Sequence, residues 1–448
     1  MSPTVIELGD VSRPAGPFHD DPLPSVDRRL ARRLRIAAVA VLCAFTLGAA
    51  VPAGPGAVRQ MWELRFDRAQ AITLAGDVAF VHRRIDEEAV LTAYHLPTGV
   101  PRWSQTTGHD LGGVEFRPEA GVLLLNSGEA TARRVYQDGS SGELLFYRET
   151  VALDPATGDR LWTRPGQALA SGAGGVLLEE VDATGAVTAV GLVRARDGEP
   201  VWRRPVTGMP TATVSYRDGQ PHRIVTATER GELTVLRYAD GSLLGSRQVP
   251  WAATVPSSGR HTLIRTAGDR LVVARSGPQQ STVTAYDIDT LGDLWRTVSG
   301  PFLWIQDCGK VLCLIGHHSL SGLDPATGRT RWETPEMAVV TWTGGGRLLV
   351  SDSADPPRQY LLDAADGSRV GPGGIGQAYA APDATDAALL LRPAASPAGH
   401  TAVSRLDLHT GETRLLGAMP TAHEFGCDAS GTYLLCRSAD RLIVTAAG

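Results

Sequence analysis

Short β-rich runs alternate with breaks of Gly, Asp and Ser along most of the chain. Ala79-Phe80-Val81 and Val90-Leu91-Thr92-Ala93 lead to one break, and Val122-Leu123-Leu124-Leu125 and Leu144-Leu145-Phe146 to the next. The plan repeats at Leu271–Ala274 with Thr282–Ala285, and at Leu348–Val350 with Tyr360–Leu362. Short runs of β-branched, aliphatic and aromatic residues between turn residues predict paired strands. The polar stretch Asn126 to Gly142 predicts an extended hairpin. Outside one N-terminal apolar segment, nothing carries a helical period.

The breaks share a motif. Ala152-Leu153-Asp154-Pro155-Ala156-Thr157-Gly158 leads to Trp162. Asp154 can bond its own backbone, Pro155 has a preset φ, and Gly158 tolerates φ > 0, so the segment reads as strand, tight turn, strand. Asp324 and Gly328 lead in the same way to Trp332, Gly99 to Trp103 and Gly198 to Trp202. Another copy has Leu291 where Gly is expected and leads to Trp295. Three degenerate copies keep Gly241, Gly367 and Gly411 in the turn but carry Gly245, Gly371 and Leu415 at the Trp position. The spacing is about 40 residues, as for four-stranded units. Met61 to Phe66 presents Trp62 on a strand with no companions before it. His423–Cys427, Tyr433–Arg437 and Arg441–Ala446 read as three strands lacking a fourth. Trp62's strand is expected to complete them, since an open ring would leave bare sheet edges.

The pattern Ala-x-Asp-x-x-Thr-Gly-x-x-x-Trp resembles the blade motif of PQQ-like β-propellers, from about residue 60 to the C-terminus. The resemblance implies an all-β propeller of four-stranded antiparallel blades. Eight turn motifs plus the composite closing blade would make nine. Rings of about 4–8 blades are typical, so eight is expected with nine as the alternative. The family contains quinone-dependent dehydrogenases, outer-membrane assembly scaffolds and sensor domains. Copy by copy, Asp154, Gly158, Trp162 and their equivalents are explained as turn and packing residues.

The N-terminus divides by composition. Residues 1–35 are polar and read as a disordered cytoplasmic segment ending in a basic cluster of Arg28, Arg29, Arg32, Arg33 and Arg35. Residues 36–53 are apolar and uncharged, at the short end for a membrane-spanning helix. Arginines before this segment predict a cytoplasmic N-terminus and an extracytoplasmic body in the cell membrane. A cleaved secretory signal is the rival, and it also puts the body outside the cytoplasm. Residues 54–59 form a linker and 60–448 the propeller. The net charge of −5 and the lack of a basic patch in the body exclude nucleic acid as an expected partner. Lys310 is the only lysine, a bias expected of a GC-rich genome such as an actinobacterial one.

Four cysteines lie in the body, as Cys308 with Cys313 and Cys427 with Cys436. Each pair flanks a hairpin turn. Outside the cytoplasm two disulfides are the natural reading; of the three connectivities proximity favours these pairs, and a rival zinc site would need spacings other than these. The dehydrogenases of the resembling family set an adjacent Cys-Cys pair against the quinone and an Asp base near calcium. This chain has no adjacent cysteines and no C-x-x-C-H. His317-His318 would point to opposite faces of a strand and could not easily share a metal. There is no H-E-x-x-H, P-loop or G-x-S-x-G. No catalytic or metal residue is therefore assigned and no cofactor is expected, with PQQ disfavoured. The expected function is a membrane-anchored, non-catalytic module that binds a protein or envelope ligand. A PQQ- or metal-dependent oxidoreductase and a structural envelope scaffold are the alternatives.

Overall fold

A computed structural model describes residues 58–65, 69–85, 88–107, 113–136, 138–209, 211–255, 259–316, 319–335, 337–381, 384–420, 426–438 and 440–448. The basic cluster, the 36–53 segment, Cys43 and the His317-His318 pair lie outside the described residues. Among those residues every regular element is a strand, and no helix is long and apolar enough to cross a membrane.

The strands form nine four-stranded sheets. Each of eight sheets takes four consecutive antiparallel strands, and we number these blades 1 to 8 from the N-terminus. Their strands run from Ala69 to Thr106, Gly113 to Pro165, Gln167 to Met209, Thr211 to Gln248, His261 to Ser299, Trp304 to Pro335, Met337 to Ile375, and Gln377 to Pro420. Blade 9 combines Cys427–Ser430, Tyr433–Ser438 and Arg441–Ala447 with the N-terminal strand Val58–Arg65. Val58 pairs with Ala447 and Arg65 with Arg441, so the first and last strands close the ring. Val58 and Arg59, read as linker, already belong to this strand. Of the strand expected over His423–Cys427, residues 421–425 lie outside the described residues, and Cys427 opens the strand Cys427–Ser430.

The ring has nine blades rather than the expected eight. The difference lies in the degenerate units at Gly371 and Leu415. Both make complete blades, because Leu348–Val350, Leu361–Leu362, Leu389–Leu391 and Val403 still bury the second and third strands. Only the outer strand of blade 7 suffers, shrinking to Gly374–Ile375.

Inner strands of adjacent blades touch, as Ala69–Ala75 does both Gly113–Arg117 and Cys427–Ser430, so the first strand of each unit faces the axis. The core is divided among the seams. Each neighbouring pair of blades shares one apolar cluster, such as Leu123, Leu125, Phe80 and Leu91 between blades 1 and 2. A blade's two faces alternate along each strand. Both faces are therefore apolar, and no blade has a core of its own.

Candidate functional site

The motif residues converge at the seams, not at a chemical centre. Asp154 Oδ1 accepts the backbone N–H groups of Ala156 at 2.7 Å and Thr157 at 3.2 Å. Asp324 does the same with Ala326 and Thr327. A hydrogen bond from Arg331 helps hold the Asp324 carboxyl down to about 2. Each Trp leaves its own blade and docks on the turn of the next. Trp162 Nε1 donates to Ala195 O at 2.7 Å, and a Cβ on Gly198 of that turn would lie 2.6 Å from the indole Cγ. The glycine is thus required by close approach as well as by its φ of 69°. Trp62 docks likewise on Leu96 and Gly99, Trp103 on Pro155 and Gly158, and Trp202 on Tyr238 and Gly241. Trp295 docks on Pro325 and Gly328, and Trp332 on Ala364 and Gly367.

The cysteines form Cys308–Cys313 and Cys427–Cys436, each tying the inner strand of its blade to the second. They are not the adjacent pair that faces a quinone in the dehydrogenases. Among the described residues no three His, Cys, Asp or Glu side chains converge as metal ligands would.

Unabsorbed chemistry lies on the inner strands. Arg265 of blade 5 stacks over the Trp304 ring of blade 6 at 4.0 Å, and burial lowers its pKa. Trp304 stays 43% exposed, unlike the seam tryptophans. Asp307 and Asp428 each adjoin a disulfide cysteine on an inner strand, and burial pushes both carboxyls up. Asp428 and Arg437 border a cavity of about 340 Å³ where blades 9, 1 and 2 meet. Sequence reasoning missed these groups. The only signal was the adjacency in Asp307-Cys308 and Cys427-Asp428.

A second departure from the repeat is the arm of blade 2, the extended hairpin expected around Asn126 to Gly142. Its middle strands, Val122–Val135 and Ser141–Leu153, outrun their neighbours. Past Asn126 and before Glu149 they pair only with each other. One face of the arm rests on the ring: a Cβ on Gly185 of blade 3 would lie 2.9 Å from Leu144, and Arg134 pairs with Glu229 of blade 4 at 2.6 Å. The other face leaves Val135 67% and Leu145 50% exposed.

Fold and site thus define a nine-bladed β-propeller with inter-blade tryptophan docking. Residues 183–338 match the family described as outer membrane protein assembly factor BamB. No curated protein matches the sequence. Among solved structures, BamB from Moraxella catarrhalis aligns over 87% of this chain and 99% of its own, at 14% identity and a TM-score of 0.46. The computationally designed Ika8 protein covers the same shares at 9% identity and 0.45. A eukaryotic initiation factor aligns over 79% of this chain and 90% of its own, at 10% identity and 0.51, a likeness of fold alone.

Proposed function

We propose that the protein is a non-catalytic interaction module, held at the outer side of a membrane by the 36–53 segment, that docks a protein partner. The arm of blade 2 carries this reading. It adds nothing to ring closure, yet it is braced against blades 3 and 4. Bracing fixes the direction in which the outward face presents Val135 and Leu145 beside Arg133 and Glu143. Exposed apolar residues rimmed by both signs of charge suit a protein surface better than a small polar ligand. The matched BamB family, described as an assembly factor, supports a role in holding other proteins. The two disulfides support an oxidising compartment.

The test is photocrosslinking from positions 135 and 145 in intact cells, with exposed Val201 on blade 3 as a control position. One discrete adduct from the arm and none from Val201 is expected. Replacing residues 129–147 by a short turn should abolish co-purification of that partner while the ring stays folded. Equal labelling from arm and control overturns the reading. Absorbance and mass spectra after incubation with PQQ and calcium test the enzyme alternative; a stably bound quinone would refute a cofactor-free module.

A further inference from the structure

Where the arm leaves blade 2, the strand Ser141–Leu153 becomes a bare sheet edge. Its last bond to the outer strand runs from Gly166 N to Arg148 O at 2.7 Å, so the Arg148 carbonyl points away from Val122–Val135. Pro165 stands opposite Glu149, the intervening position that needs no outward donor. Backbone direction alternates along an antiparallel strand. Gly142, Leu144 and Phe146 therefore turn their N–H and C=O groups to the same outer side. No described backbone group bonds them there. Proteins blunt such edges with proline, short strands or bulges, because a bare ladder recruits another strand. The ring does so: Pro101, Pro165, Pro205, Pro335 and Pro420 lie on five outer strands, and another is only Gly374–Ile375. The arm has no proline from Ser141 to Arg148, and its register with Val122–Val135 runs without a shift.

The edge is also held in place. Leu144 and Phe146 sit on Gly185, and Arg134 pairs with Glu229. An edge already fixed in extended form gives up little entropy when a strand joins it. A two-stranded ribbon gains stability from a third strand. Resting on the arm as the docking element, we propose that the partner binds by strand addition: an extended segment of another protein pairs with Gly142, Leu144 and Phe146 as a third strand of the arm. Side chains on the outward face of that segment stand beside Glu143, Leu145 and Tyr147. Cross-strand preference then selects a β-branched or aromatic residue next to Leu145 and a basic one next to Glu143. Main-chain pairing supplies the attachment, and these two positions supply the choice of segment.

The test starts from the adduct expected at position 145 in intact cells. Leu144→Pro removes the central edge donor and sets a ring in the path of an added strand, yet spares the bonds to Val122–Val135. Leu144→Ala removes the same contact with Gly185 but keeps the donor. The adduct should fall at least about tenfold with proline and stay within about twofold of wild type with alanine. No adduct from wild type overturns the docking role and strand addition with it. An adduct that survives Leu144→Pro leaves the docking role standing and overturns strand addition alone. An adduct of two copies of this chain overturns a separate partner. A second measurement uses the unaltered full chain and a synthetic peptide of about nine valines and threonines, a strand's length, with a lysine near each end. At saturation, hydrogen exchange at the Gly142, Leu144 and Phe146 amides should slow at least about tenfold, while Leu145, already bonded inward, changes little. Edge amides that exchange as before overturn the proposal, even if the proline variant misfolds.

Discussion

Leu291, in the turn of blade 5, faces Gly245 on the outer strand of blade 4, and the two exchange the sizes found at every tryptophan seam. Elsewhere the large residue stands on the outer strand and the glycine in the turn. Here a Cβ on Gly245 would lie 3.6 Å from Leu291 Cδ1, and Leu291 is buried despite a φ of 56°. Leucine disfavours that backbone region by roughly 1–2 kcal/mol. Filling the seam outweighs the strain. Leu291→Gly should destabilise by about 3–4 kcal/mol, the loss of a large buried side chain less the relieved strain. Gly245→Trp alone should also destabilise, by roughly 1–3 kcal/mol, through overpacking. The double variant rebuilds the common seam, so denaturant titration should show a favourable coupling of about 1–3 kcal/mol. Simple additivity would refute the exchange.

Gly198 and Gly121 separate close approach from backbone preference. Their φ angles are 69° and 68°, but a Cβ on Gly121 meets nothing within 4 Å whereas one on Gly198 meets Trp162. Gly121→Ala should cost about 1 kcal/mol, the left-handed penalty alone. Gly198→Ala should cost roughly 1–3 kcal/mol more, since the indole must leave its seat and its bond to Ala195. Equal losses in urea titrations would mean that the tryptophan seat is soft.

The ring was legible in the sequence because its turns are local chemistry. Asp154, Gly158 and Trp162 lie within one short segment, and each copy repeats the same backbone problem. Closure by Trp62 was legible too, as both chain ends were visibly incomplete. The ninth blade was obscured because Gly371 and Leu415 lack the tryptophan while their buried strands keep only general apolar character. The destination of each tryptophan, the neighbouring turn, depends on blade-to-blade contact that no single repeat encodes. Asp428 and Arg437 were invisible for the same reason: their cavity needs strands from blades 1, 2 and 9.

Removing the N-terminal strand should open the ring. Trp62 and Leu64 pack with Leu435, Leu442 and Val444 at the seam of blades 9 and 1, and the strand pairs from Val58 to Arg65. Deleting residues 58–65 within the otherwise intact chain should lower the melting temperature by about 5 °C or more, given a loss of several kcal/mol and about 1 °C per kcal/mol for a ring of this size. Deleting residues 1–27 should leave it within a degree or two. Equal shifts would refute strand closure.

Exported protein should carry no free thiol in the body. Intact mass under denaturing conditions should rise on reduction by the four hydrogens of Cys308–Cys313 and Cys427–Cys436. Loops this short limit the entropic gain, so reduction should cost less than the roughly 3 kcal/mol of a 15-residue loop. Four free thiols in protein recovered from the envelope would overturn the proposed extracytoplasmic placement.

Acid should act on two carboxylates with opposite signs. Asp324 is held down to about 2, first by its bond from Arg331, against an ordinary value of about 3.9. Its contribution is fully present above the ordinary value and is lost as pH falls from about 4 towards 2. Glu179 is raised, chiefly by burial and against the pull of Gln167. It therefore burdens the folded state when charged, and protonation relieves that burden as pH falls. Asp324→Asn should flatten the fall in melting temperature between about pH 4.5 and 2.5 relative to wild type. Glu179→Gln should be the more stable protein at neutral pH and lose that advantage by about pH 4, since wild type gains the proton that the amide imitates. The two variants thus move the pH profile in separate windows, one below pH 4 and one above. Parallel profiles for wild type and Asp324→Asn would show that the turn carboxylate is not held by Arg331. A Glu179→Gln advantage unchanged by acid would show that burial does not raise the glutamate.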